Sequence, residues 1–583
     1  MALSLPARDV TYRELSRRVE DLTGTLANEL GVGTRALLLA DRSAETVIHL
    51  LAALRAGLSV TVVDASEPEA WMDRAALVTA STAVIDPRSG LDDGRVRVVP
   101  GPAETPPGPT SGAQPDRSSN AELILLTSGT GALPRAVRST TDPLYHYLGW
   151  AARHLGVTCD DRVAFVSGTG HDPMLRDVLQ PIAVGATCAI PADDTLMDPE
   201  ELAAWLELQR VSVLHLTPAR ARILSRARIR PLPDLRLVVF GGDRLAAADV
   251  EAVRALAPSV RVVNGYGATE TPQLAAWAEV GTPALDPVPV GEGIDGTELV
   301  VVRDGCPVRP CELGEIVVRS RNLAEGYEGE DDDARFGPDP AGLDGVRAYR
   351  TGDVGRLLPN GDVLCLGRTD GLVVIRGHRV DPRQPESVLR NCPGVRDAIV
   401  VDGGRVGASL EGLLVSYVVT DTPVDAQELR TRLSRELPRH LVPHLIQELP
   451  AIPVTRNGKL DMTALPVPDR LQCTGRVPST DSQRAVAAVW QEVLGIEVLD
   501  VDVGFFDLGG HSLQLVDLQQ RLRSSLGLQI GIVDLYRRTT VASQAELVDA
   551  GTALETVGRP DAVDRARRRT SRRRSHPARR KRA

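Results

Sequence analysis

Short apolar runs alternate with amphipathic segments along residues 1–369 of this chain. Such runs, bounded by turn residues and separated by helical patterns, predict a layered α/β domain with buried, largely parallel strands. Within this region, residues 101–120 are dominated by Pro, Gly and Ser, which predicts an exposed loop. The predicted strands are RALLLA (35–40), SVTVV (59–63), AELILLTSG (121–129), SVLHLT (212–217), LRLVVFGG (235–242) and RVVNGY (261–266).

The pattern changes at Tyr349, where short β segments and turns begin. In LLPNGDVLCLG (357–367), the adjacent Asn360 and Gly361 are a hairpin signal. We expect a smaller α+β unit over residues 370–465. Residues 466–480 contain three prolines and predict a linker.

Helical periodicity returns after the linker. The segment SQRAVAAVWQEVLG (482–495) ends on Gly495, a common helix stop, and a second amphipathic segment follows Gly510. We therefore predict an all-α unit over residues 481–551, in which core packing accounts for the apolar positions. These are Val486, Val489, Trp490, Val493, Leu494, Leu515, Leu518 and Leu522.

Length and composition narrow the class of protein. The length of 583 residues exceeds what one hydrophobic core encloses, which agrees with several folding units. No apolar run approaches the ~20 residues that a membrane helix needs, and the N-terminus lacks the pattern of a signal peptide. Apart from Cys306 and Cys311, the seven cysteines are well separated, which is typical of thiols in a reducing cytoplasm. We expect a cytoplasmic protein with no membrane segment.

Positive charge is concentrated in the last part of the sequence. The net charge is −10, yet residues 559–583 carry 12 Arg or Lys side chains against two Asp. This segment has no apolar periodicity, so residues 552–583 are expected to be disordered. A solvated tail is favoured over an anionic partner surface, and no specific nucleic-acid partner is expected.

The stretch FFDLGGHSL (505–513) places Ser512 between a Gly-Gly turn and the amphipathic helix. Helix capping would favour a serine there. A phosphodiester would also be stabilised at the positive end of the helix dipole. The motif DLGGHSL resembles the attachment site of peptidyl carrier proteins, which implies a four-helix bundle and a 4′-phosphopantetheine arm on Ser512. The chain contains no Gly-x-Ser-x-Gly elbow, so Ser512 is not expected to be a hydrolase nucleophile.

A series of ordered motifs precedes this site and resembles the adenylation domains of nonribosomal peptide synthetases, members of the adenylate-forming superfamily. The resemblance implies a large α/β subdomain, a small mobile α+β subdomain, and binding of ATP with Mg²⁺. The motifs are VTYREL (10–15), LRAGLSVTVVD (54–64), LLTSGTGALPRAV (125–137), FGGDRL (240–245), NGYGATE (264–270), GEIVVRSRNLAEGY (314–327), YRTGD (349–353), GRTDGLVVIRGHRV (367–380), LPRHLVP (437–443) and NGKLD (457–461).

The resemblance also implies roles for individual residues, and the chemistry of each suits its role. Charge develops at the α-phosphorus during adenylation, so cationic and metal-held groups should surround it. Catalytic roles fall to Lys459, Thr269 and the magnesium ligand Glu270. The phosphate contacts would be Thr127, Ser128, Gly129 and Thr130, the ribose and adenine contacts Asp353, Arg368 and Tyr266, and the lobe hinge Asp370.

Two segments depart from the family pattern. In the phosphate loop, Gly131, Ala132, Arg135 and Ala136 stand where the family has a second Thr and Pro-Lys-Gly. Arg keeps the charge of Lys but not its shape, so slower pyrophosphate handling is expected. After RGHRV, the usual Glu-rich stretch is replaced by DPRQPE (381–386).

The segment from 170 to 191 matches the family's substrate pocket, where Asp172 would pair with a substrate α-ammonium. The opening Asp, Pro, Arg, His of the pocket resembles that of α-aminoadipate-activating domains, as in aminoadipate reductases. A confined Arg176 and His215 call for an anionic or strongly polar partner, which favours an acidic amino acid such as 2-aminoadipate or glutamate. Alternatively, Arg176 pairs internally with Asp177 or another carboxylate and only shapes the pocket. By this resemblance the pocket contains Asp172, Pro173, Arg176, His215, Val239, Gly241, Gly265, Gln273, Leu274 and Lys459.

The interpretation is an enzyme that activates an amino acid and loads it on its own carrier for secondary metabolite biosynthesis. It implies a phosphopantetheinyl transferase and downstream condensation or tailoring enzymes as partners, and it allows an MbtH-like activator. One alternative is an inactive adenylation scaffold whose carrier is loaded in trans. Another is an activating fragment of the aminoadipate reductase type. A stand-alone acyl-CoA ligase would not need LGGHS.

Overall fold

The computed structural model describes most of the chain. The residues outside the description are 7, 90–121, 128–132, 226–230, 330–334, 340–342, 369–372, 376–377, 408–409, 411, 422–423, 454–461, 469–475, 495–499, 507, 509, 511, 528–529 and 552–583. The predicted loop at 101–120 and the basic tail therefore lie outside the described residues.

The large lobe begins as an alternation of strands and helices. Its strands are β1 (Leu3–Ser4), β2 (Arg35–Ala40), β3 (Ser59–Asp64), β4 (Ala83–Ile85), β5 (Glu122–Thr127), β6 (Arg135–Thr140), β7 (Arg162–Ala164), β8 (Thr187–Ala189), β9 (Val213–Leu216), β10 (Leu237–Phe240), β11 (Arg261–Ala268), β12 (Thr271–Glu279) and β13 (Glu292–Gly293). Its helices are α1 (Tyr12–Leu30), α2 (Ala44–Arg55), α3 (Glu69–Val78), α4 (Asp142–His154), α5 (Pro173–Val184), α6 (Asp193–Met197), α7 (Pro199–Leu208), α8 (Pro218–Ser225) and α9 (Ala247–Leu256).

These strands form two sheets that share one apolar core. The first has the order β1-β8-β7-β9-β10-β11-β12-β13 and is parallel from β1 to β11. The second contains β6-β5-β3-β2-β4. Buried side chains of α1, α2, α4 and α5 pack in the same cluster as residues of both sheets, so these helices form the layer between them. All six predicted strands are confirmed.

The region after β13 differs from the expectation. Antiparallel strands form a third sheet of order β15-β14-β16-β19-β18, with β20 paired to β19. The change to antiparallel structure therefore comes well before Tyr349, because the exposed faces of these strands hide them from a search for long apolar runs. The strands of this sheet are β14 (Thr297–Arg303), β15 (Cys306–Pro307), β16 (Leu313–Ser320), β18 (Phe336–Pro338), β19 (Arg347–Leu357) and β20 (Val363–Arg368). Between them in sequence, β17 (Gly326–Tyr327) pairs instead with β6 at the edge of the second sheet. The hairpin expected at Asn360 and Gly361 joins β19 to β20, and Gly361 has a φ of 92°.

The small lobe is an α+β unit, as expected. A two-stranded ribbon, β21 with β22, precedes a three-stranded sheet of order β23-β24-β25. Its elements are β21 (Val373–Ile375), β22 (His378–Val380), α10 (Arg383–Arg390), β23 (Val395–Asp402), β24 (Leu414–Thr420), α11 (Ala426–Glu436) and β25 (Leu445–Glu448). Leu389, Leu414 and Leu433 share a core with Trp71 of the large lobe, so the two lobes are packed together.

The C-terminal unit is helical. Its helices are α12 (Asp481–Leu494), α13 (Ser512–Leu526), α14 (Ile532–Arg537) and α15 (Val541–Gly551). Val486, Trp490, Leu515, Leu518 and Leu522 are buried in one cluster, which confirms the apolar stripes read from the sequence. Phe505 packs edge to face on Trp490 with ring centroids 5.1 Å apart, so the FFDLGG segment is part of this core.

The helical unit contacts both lobes. Arg523 of α13 donates to Glu200 at 2.6 Å, and the backbone N–H of Ile532 donates to the carboxylate of Asp198 at 3.3 Å. The guanidinium of Arg439 in the small lobe lies 5.8 Å from the Phe506 ring centre. Among the described residues, no helix is long and apolar enough to cross a bilayer.

Candidate functional site

The residues predicted for the substrate pocket lie where the carboxyl ends of parallel strands face the start of α5, with Gly241 beside Arg176 and Gln273 bonded to Asp172. His215 and Val239 are paired on β9 and β10, and Val239 pairs on its other side with β11. Ligands bind at such strand ends because the loops and helix N-termini there leave a crevice. The pocket residues predicted from the sequence converge from five elements: Asp172, Pro173 and Arg176 from α5 and its start, His215 from β9, Val239 and Gly241 from β10, Gly265 from β11, and Gln273 and Leu274 from β12.

Arg176 brings a buried positive charge into this pocket. The residue is 7% exposed, and no described residue places a carboxylate oxygen within 4.0 Å of its guanidinium. Its Nε has no hydrogen-bond partner among the described residues. The guanidinium faces Gly241, because a Cβ added there would lie 3.7 Å from one of its terminal nitrogens. A side chain larger than Gly would cover the charge at this point.

Asp177 does not neutralise Arg176. The Nδ1 of His215 donates to Asp177 at 2.7 Å, and the backbone N–H groups of Val166 and Ser167 donate to its other oxygen. Burial by itself would raise the pKa of Asp177, but the His215 hydrogen bond lowers it below its ordinary value. The internal Arg176–Asp177 pair considered above is thus absent, and Asp177 positions His215 instead.

Two further polar atoms near Arg176 lack partners. The Nε2 of His215 and the hydroxyl of Tyr147 are buried, and neither is hydrogen-bonded to a described residue. Burial raises the pKa of Tyr147 to about 12 and lowers that of His215, and the positive charge of Arg176 lowers both pKa values. His215 is therefore neutral, and because its Nδ1 donates to Asp177, its Nε2 is an acceptor. The guanidinium of Arg176 and the hydroxyl of Tyr147 are the buried donors, and together they indicate a place for a ligand acceptor. Tyr147 was missed by the sequence analysis because it lies on α4, outside the motifs.

Asp172 supplies the opposite charge at the pocket. Burial raises its pKa to about 6, against the effect of the Arg176 charge, and the charge of Glu270 adds to the rise. Its backbone carbonyl accepts from Nε2 of Gln273 at 3.1 Å. Gln273 itself has a φ of 71°, an uncommon conformation for a residue other than Gly that is often found at binding sites. The pocket therefore presents a carboxylate and a guanidinium to one ligand.

Gly265 keeps the backbone of β11 close to its neighbour. A Cβ at this position would lie 2.7 Å from the side chain of Leu274. Only Gly fits unless Leu274 moves, so the two residues together shape one wall.

A second polar cluster lies on the third sheet. Asp353 on β19 is 9% exposed and pairs directly with Arg368 on β20. Arg368 donates to one carboxylate oxygen at 2.6 Å, and the hydroxyl of Tyr266 donates to the other at 2.5 Å. The structure thus brings together the three residues predicted for ribose and adenine. Each carboxylate oxygen can accept a second hydrogen bond, so the cluster fits a pair of ribose hydroxyls.

Glu270 lies beside the start of β12 and is 2% exposed. The hydroxyl of Tyr327 donates to its Oε1 at 2.5 Å. Tyr327 is held by β17, which pairs with β6, and the guanidinium of Arg135 lies 3.8 Å above its ring centre. A fixed carboxylate with hard oxygen atoms fits a magnesium ligand. Tyr327 was missed as a site residue, although it ends the motif GEIVVRSRNLAEGY.

Arg135, one of the four residues of the phosphate loop that depart from the family pattern, is the first residue of β6. Thr127 and Arg135 are paired at the end of the β5–β6 hairpin. Thr269 lies in the turn between β11 and β12, next to Glu270. The predicted residues Ser128, Gly129, Thr130, Asp370 and Lys459 lie outside the described residues.

Ser512 is the first residue of α13, a helix of 15 residues. This position agrees with the predicted first-turn placement, and a helix N-terminus fits a phosphodiester. Gly510 has a separate explanation, since a Cβ there would collide with the ring and carbonyl of Phe505. Gly510 therefore allows the chain to pack closely against Phe505 within the helical unit.

Family models match three parts of the chain. The AMP-binding enzyme model matches residues 1–328, the AMP-binding enzyme C-terminal domain model matches 384–459, and the phosphopantetheine attachment site model matches 484–548. These matches imply ATP, with Mg²⁺ as the usual metal, and 4′-phosphopantetheine as cofactors.

Individual relatives agree with the family models. Surfactin synthase subunit 2 of Bacillus subtilis is 29% identical over 572 residues, covering 93% of this chain and 16% of that protein. The L-2-aminoadipate reductase of Schizosaccharomyces pombe is 27% identical over 669 residues, covering 94% and 46%. The chain thus spans less than half the length of either relative.

A solved structure covers the same units. Holo-PA1221, a nonribosomal peptide synthetase protein containing adenylation and carrier domains bound to a vinylsulfonamide inhibitor, matches with a TM-score of 0.76 and 26% identity, over 94% of each chain. The adenylation fold, with a large and a small subdomain followed by a carrier fold, is thereby confirmed. The chain belongs to the AMP-binding enzyme family of adenylate-forming ligases and carries a phosphopantetheine attachment domain.

Proposed function

We propose that this chain activates an amino acid with ATP and loads it on its own carrier domain. The substrate carboxylate would attack the α-phosphorus of ATP, forming aminoacyl-AMP as pyrophosphate leaves. The thiol of a phosphopantetheine arm on Ser512 would then lose its proton and attack the carbonyl carbon, forming a thioester as AMP leaves. The fold and the seating of the carrier against α6–α8 and the small lobe support both steps in one chain.

The residue roles follow from the surroundings of each side chain. Glu270, fixed by Tyr327, would hold Mg²⁺, which neutralises phosphate charge when bound. Asp353 and Arg368 would hold the ribose, with Tyr266 beside the adenine. Thr127, Ser128, Gly129, Thr130 and Thr269 would contact phosphate, and Lys459 would bridge the substrate carboxylate and the nucleotide.

The substrate we propose is an amino acid with an acidic side chain, such as 2-aminoadipate or glutamate. The observation that carries this proposal is the buried guanidinium of Arg176, which has no carboxylate partner among the described residues. A side-chain carboxylate would satisfy Arg176 and the nearby hydroxyl donor of Tyr147, while Asp172 would receive the α-ammonium. Similarity to an L-2-aminoadipate reductase supports the longer acid.

The proposed setting is the cytoplasm, where ATP and a phosphopantetheinyl transferase are available. The loaded thioester would pass to condensation or tailoring enzymes of secondary metabolism, with an MbtH-like protein as an optional activator.

Intact-protein mass spectrometry tests the proposal. The full chain, primed with phosphopantetheine, is incubated with ATP, Mg²⁺ and a panel of acidic and neutral amino acids. We expect a mass gain for an acidic amino acid, absent in Lys459→Ala and Ser512→Ala. Loading of neutral aliphatic acids alone would contradict the acidic pocket. Equal loading by Lys459→Ala would favour a scaffold loaded in trans, and Lys459→Arg serves as its conservative control.

A further inference from the structure

Three histidines from separate parts of the chain meet where the two lobes touch. His171 immediately precedes the pocket residue Asp172, His378 begins β22 in the RGHRV segment, and His440 lies in the short 3-10 turn Arg439–Leu441. One possible ligand atom from each ring lies within 4.8 Å of the others. The ring centroid of His171 is 4.5 Å from that of His378 and 5.5 Å from that of His440.

The positions of the rings are set by the surrounding backbone. His171 packs against Gly168, where an added Cβ would lie 2.9 Å from the imidazole. Its carbonyl accepts from the N–H of Met174 in the first turn of α5, which fixes the residue at the start of that helix. His378 and His440 are stacked, with centroids 4.5 Å apart and an angle of 14° between the rings. All three are half-buried.

We infer that His171, His378 and His440 form a binding site for a divalent transition-metal ion that bridges the two lobes, with Zn²⁺ as the best match. Three imidazoles with an open fourth position are a known ligand set for Zn²⁺, and imidazole also suits Co²⁺, Ni²⁺ and Cu²⁺. Tetrahedral Zn–N bonds of ~2.0–2.1 Å place the nitrogen atoms roughly 3.4 Å apart. Each imidazole coordinates through a lone pair in its ring plane, so His378 and His440 would turn out of their stack when the ion binds.

The surroundings agree with a cation rather than with stacked aromatic rings alone. The hydroxyl of Thr169, two residues before His171, donates to a carboxylate oxygen of Asp64, and the backbone of Asp64 lies against Gly170. A carboxylate beside the ligand set would compensate positive charge, as outer ligands do at known metal sites. The Mg²⁺ of ATP is expected to bind the carboxylate oxygens of Glu270, so the three imidazoles form a separate set of ligands.

An ion bound by these three histidines would restrict movement of the two lobes. One ligand belongs to the large lobe and two belong to the small lobe, so a shared ion would hold β22 and the turn Arg439–Leu441 against the start of α5. Metal binding would therefore favour the lobe arrangement described here over any other. The inference does not depend on the proposed substrate, because binding is measured without ATP or amino acid.

Cobalt titration of the full chain tests the site. The protein carries no histidine tag, is treated with chelator, and is titrated with Co²⁺ while the visible absorption is recorded. We expect one equivalent of Co²⁺ to bind, to show a four- or five-coordinate spectrum without the near-ultraviolet band of thiolate ligands, and to be displaced by Zn²⁺. His171→Asn, His378→Asn and His440→Asn should each weaken binding by at least ~10-fold. His154→Asn, a change at a histidine that pairs with Asp295, is the matched control and should bind like the original chain.

Hydrogen exchange gives a second measurement. Zn²⁺ should slow amide exchange in the peptides that contain 378–380 and 439–441, and His171→Asn should remove this protection although it changes the other lobe. Circular dichroism establishes that the variants are folded. The inference is overturned if the chain binds no Co²⁺, if a thiolate band shows that Cys306 and Cys311 hold the ion, or if folded His171→Asn and His440→Asn bind as the original chain does.

Discussion

At the residue scale, the surroundings of Arg176 decide the proposed substrate. A buried guanidinium is costly unless an acceptor reaches it, and the nearest candidate, Asp177, is already satisfied by His215 and two backbone N–H groups. The sequence placed Arg176 next to Asp177, but only side-chain directions showed that the two do not pair.

The first prediction concerns removal of this charge. Arg176→Gln should lower kcat/KM for an acidic amino acid by about 10- to 100-fold, because a hydrogen bond to a charged group contributes ~1.5–3 kcal/mol. Pyrophosphate exchange measures the effect. Arg153→Gln, at an exposed arginine of α4 that pairs with Asp295, should leave the rate unchanged. An equal loss for acidic and neutral amino acids would show that Arg176 acts only on folding.

The second prediction concerns pH. The raised pKa of Asp172, about 6, means that its carboxylate is protonated below that pH and can no longer pair with an α-ammonium. We expect kcat/KM for adenylation to fall as the pH drops through about 6, approaching ~10-fold per pH unit. Because the Arg176 charge opposes the rise, Arg176→Gln should move the inflection to higher pH. A flat profile in the original chain between pH ~5 and ~7 would contradict the role of Asp172.

At the element scale, the two-residue strand β17 positions the side chain that holds Glu270, the predicted magnesium ligand. Strand β17 pairs with β6 and thereby brings Tyr327 to Glu270, which is far from it in sequence. Arg135 stands where the resemblance places a lysine in the phosphate loop. Its planar guanidinium stacks on the ring of Tyr327, a contact that suits Arg better than Lys.

The third prediction tests this element. Tyr327→Phe keeps the ring under Arg135 but removes the hydroxyl that orients Glu270. The Mg²⁺ concentration for half-maximal adenylation should rise by about 10-fold, because loss of a hydrogen bond that orients a metal ligand weakens metal binding by about this factor. Tyr12→Phe, which removes a hydroxyl bonded to the carbonyl of Ala186 far from the site, should not change the Mg²⁺ requirement. If Tyr327→Phe needs no more Mg²⁺ than Tyr12→Phe does, Glu270 is not the magnesium ligand.

The fourth prediction concerns the turn before α13. Gly510→Ala should destabilise the helical unit by ~1–3 kcal/mol, because the added methyl group overlaps Phe505. In contrast, Gly24→Ala in helix α1, where nothing lies within 4 Å of the new Cβ, should stabilise the large lobe by ~0.5–1 kcal/mol. Hydrogen exchange of the full chain separates the two units, and mass spectrometry should show slower attachment of phosphopantetheine to Gly510→Ala. Unchanged exchange in α12–α15 would contradict the packing argument.

At the scale of the whole molecule, the carrier unit is seated by a few polar contacts as well as by packing. Arg523 and Glu200 are paired at 2.6 Å with both side chains mostly buried. A partly buried pair of this kind sets orientation, because a like charge at the same place would be repelled.

The fifth prediction exchanges these charges. Arg523→Glu should slow self-loading by about 5- to 50-fold through charge repulsion with Glu200, with adenylation and priming unchanged. The double variant with Glu200→Arg should regain most of the loss. Single-turnover loading measured by intact mass tests this, and Arg521→Glu, at an exposed arginine of the same helix, is the control. A double variant as slow as the single one would place the productive carrier contact elsewhere.

The sequence by itself determined the parallel α/β core, the helical unit and the order of the units. The buried parallel strands, the amphipathic helices α12 and α13, and the hairpin at Gly361 all depend on local spacing, which a linear pattern records directly. The nucleotide residues Tyr266, Asp353 and Arg368 were also predicted from motifs, and the structure brings them together.

Only the tertiary structure decided which side chains meet. The first strands of the antiparallel sheet, formed by β14–β16 and β18–β20, were not predicted from the sequence because these half-exposed strands lack long apolar runs. The pairing of Asp177 with His215, the contact of Tyr327 with Glu270, and the meeting of His171 with His378 and His440 join residues from different elements. Charge pairing and metal coordination require atoms within a few ångströms, and chain folding, which is set by burial of the whole core, determines that distance.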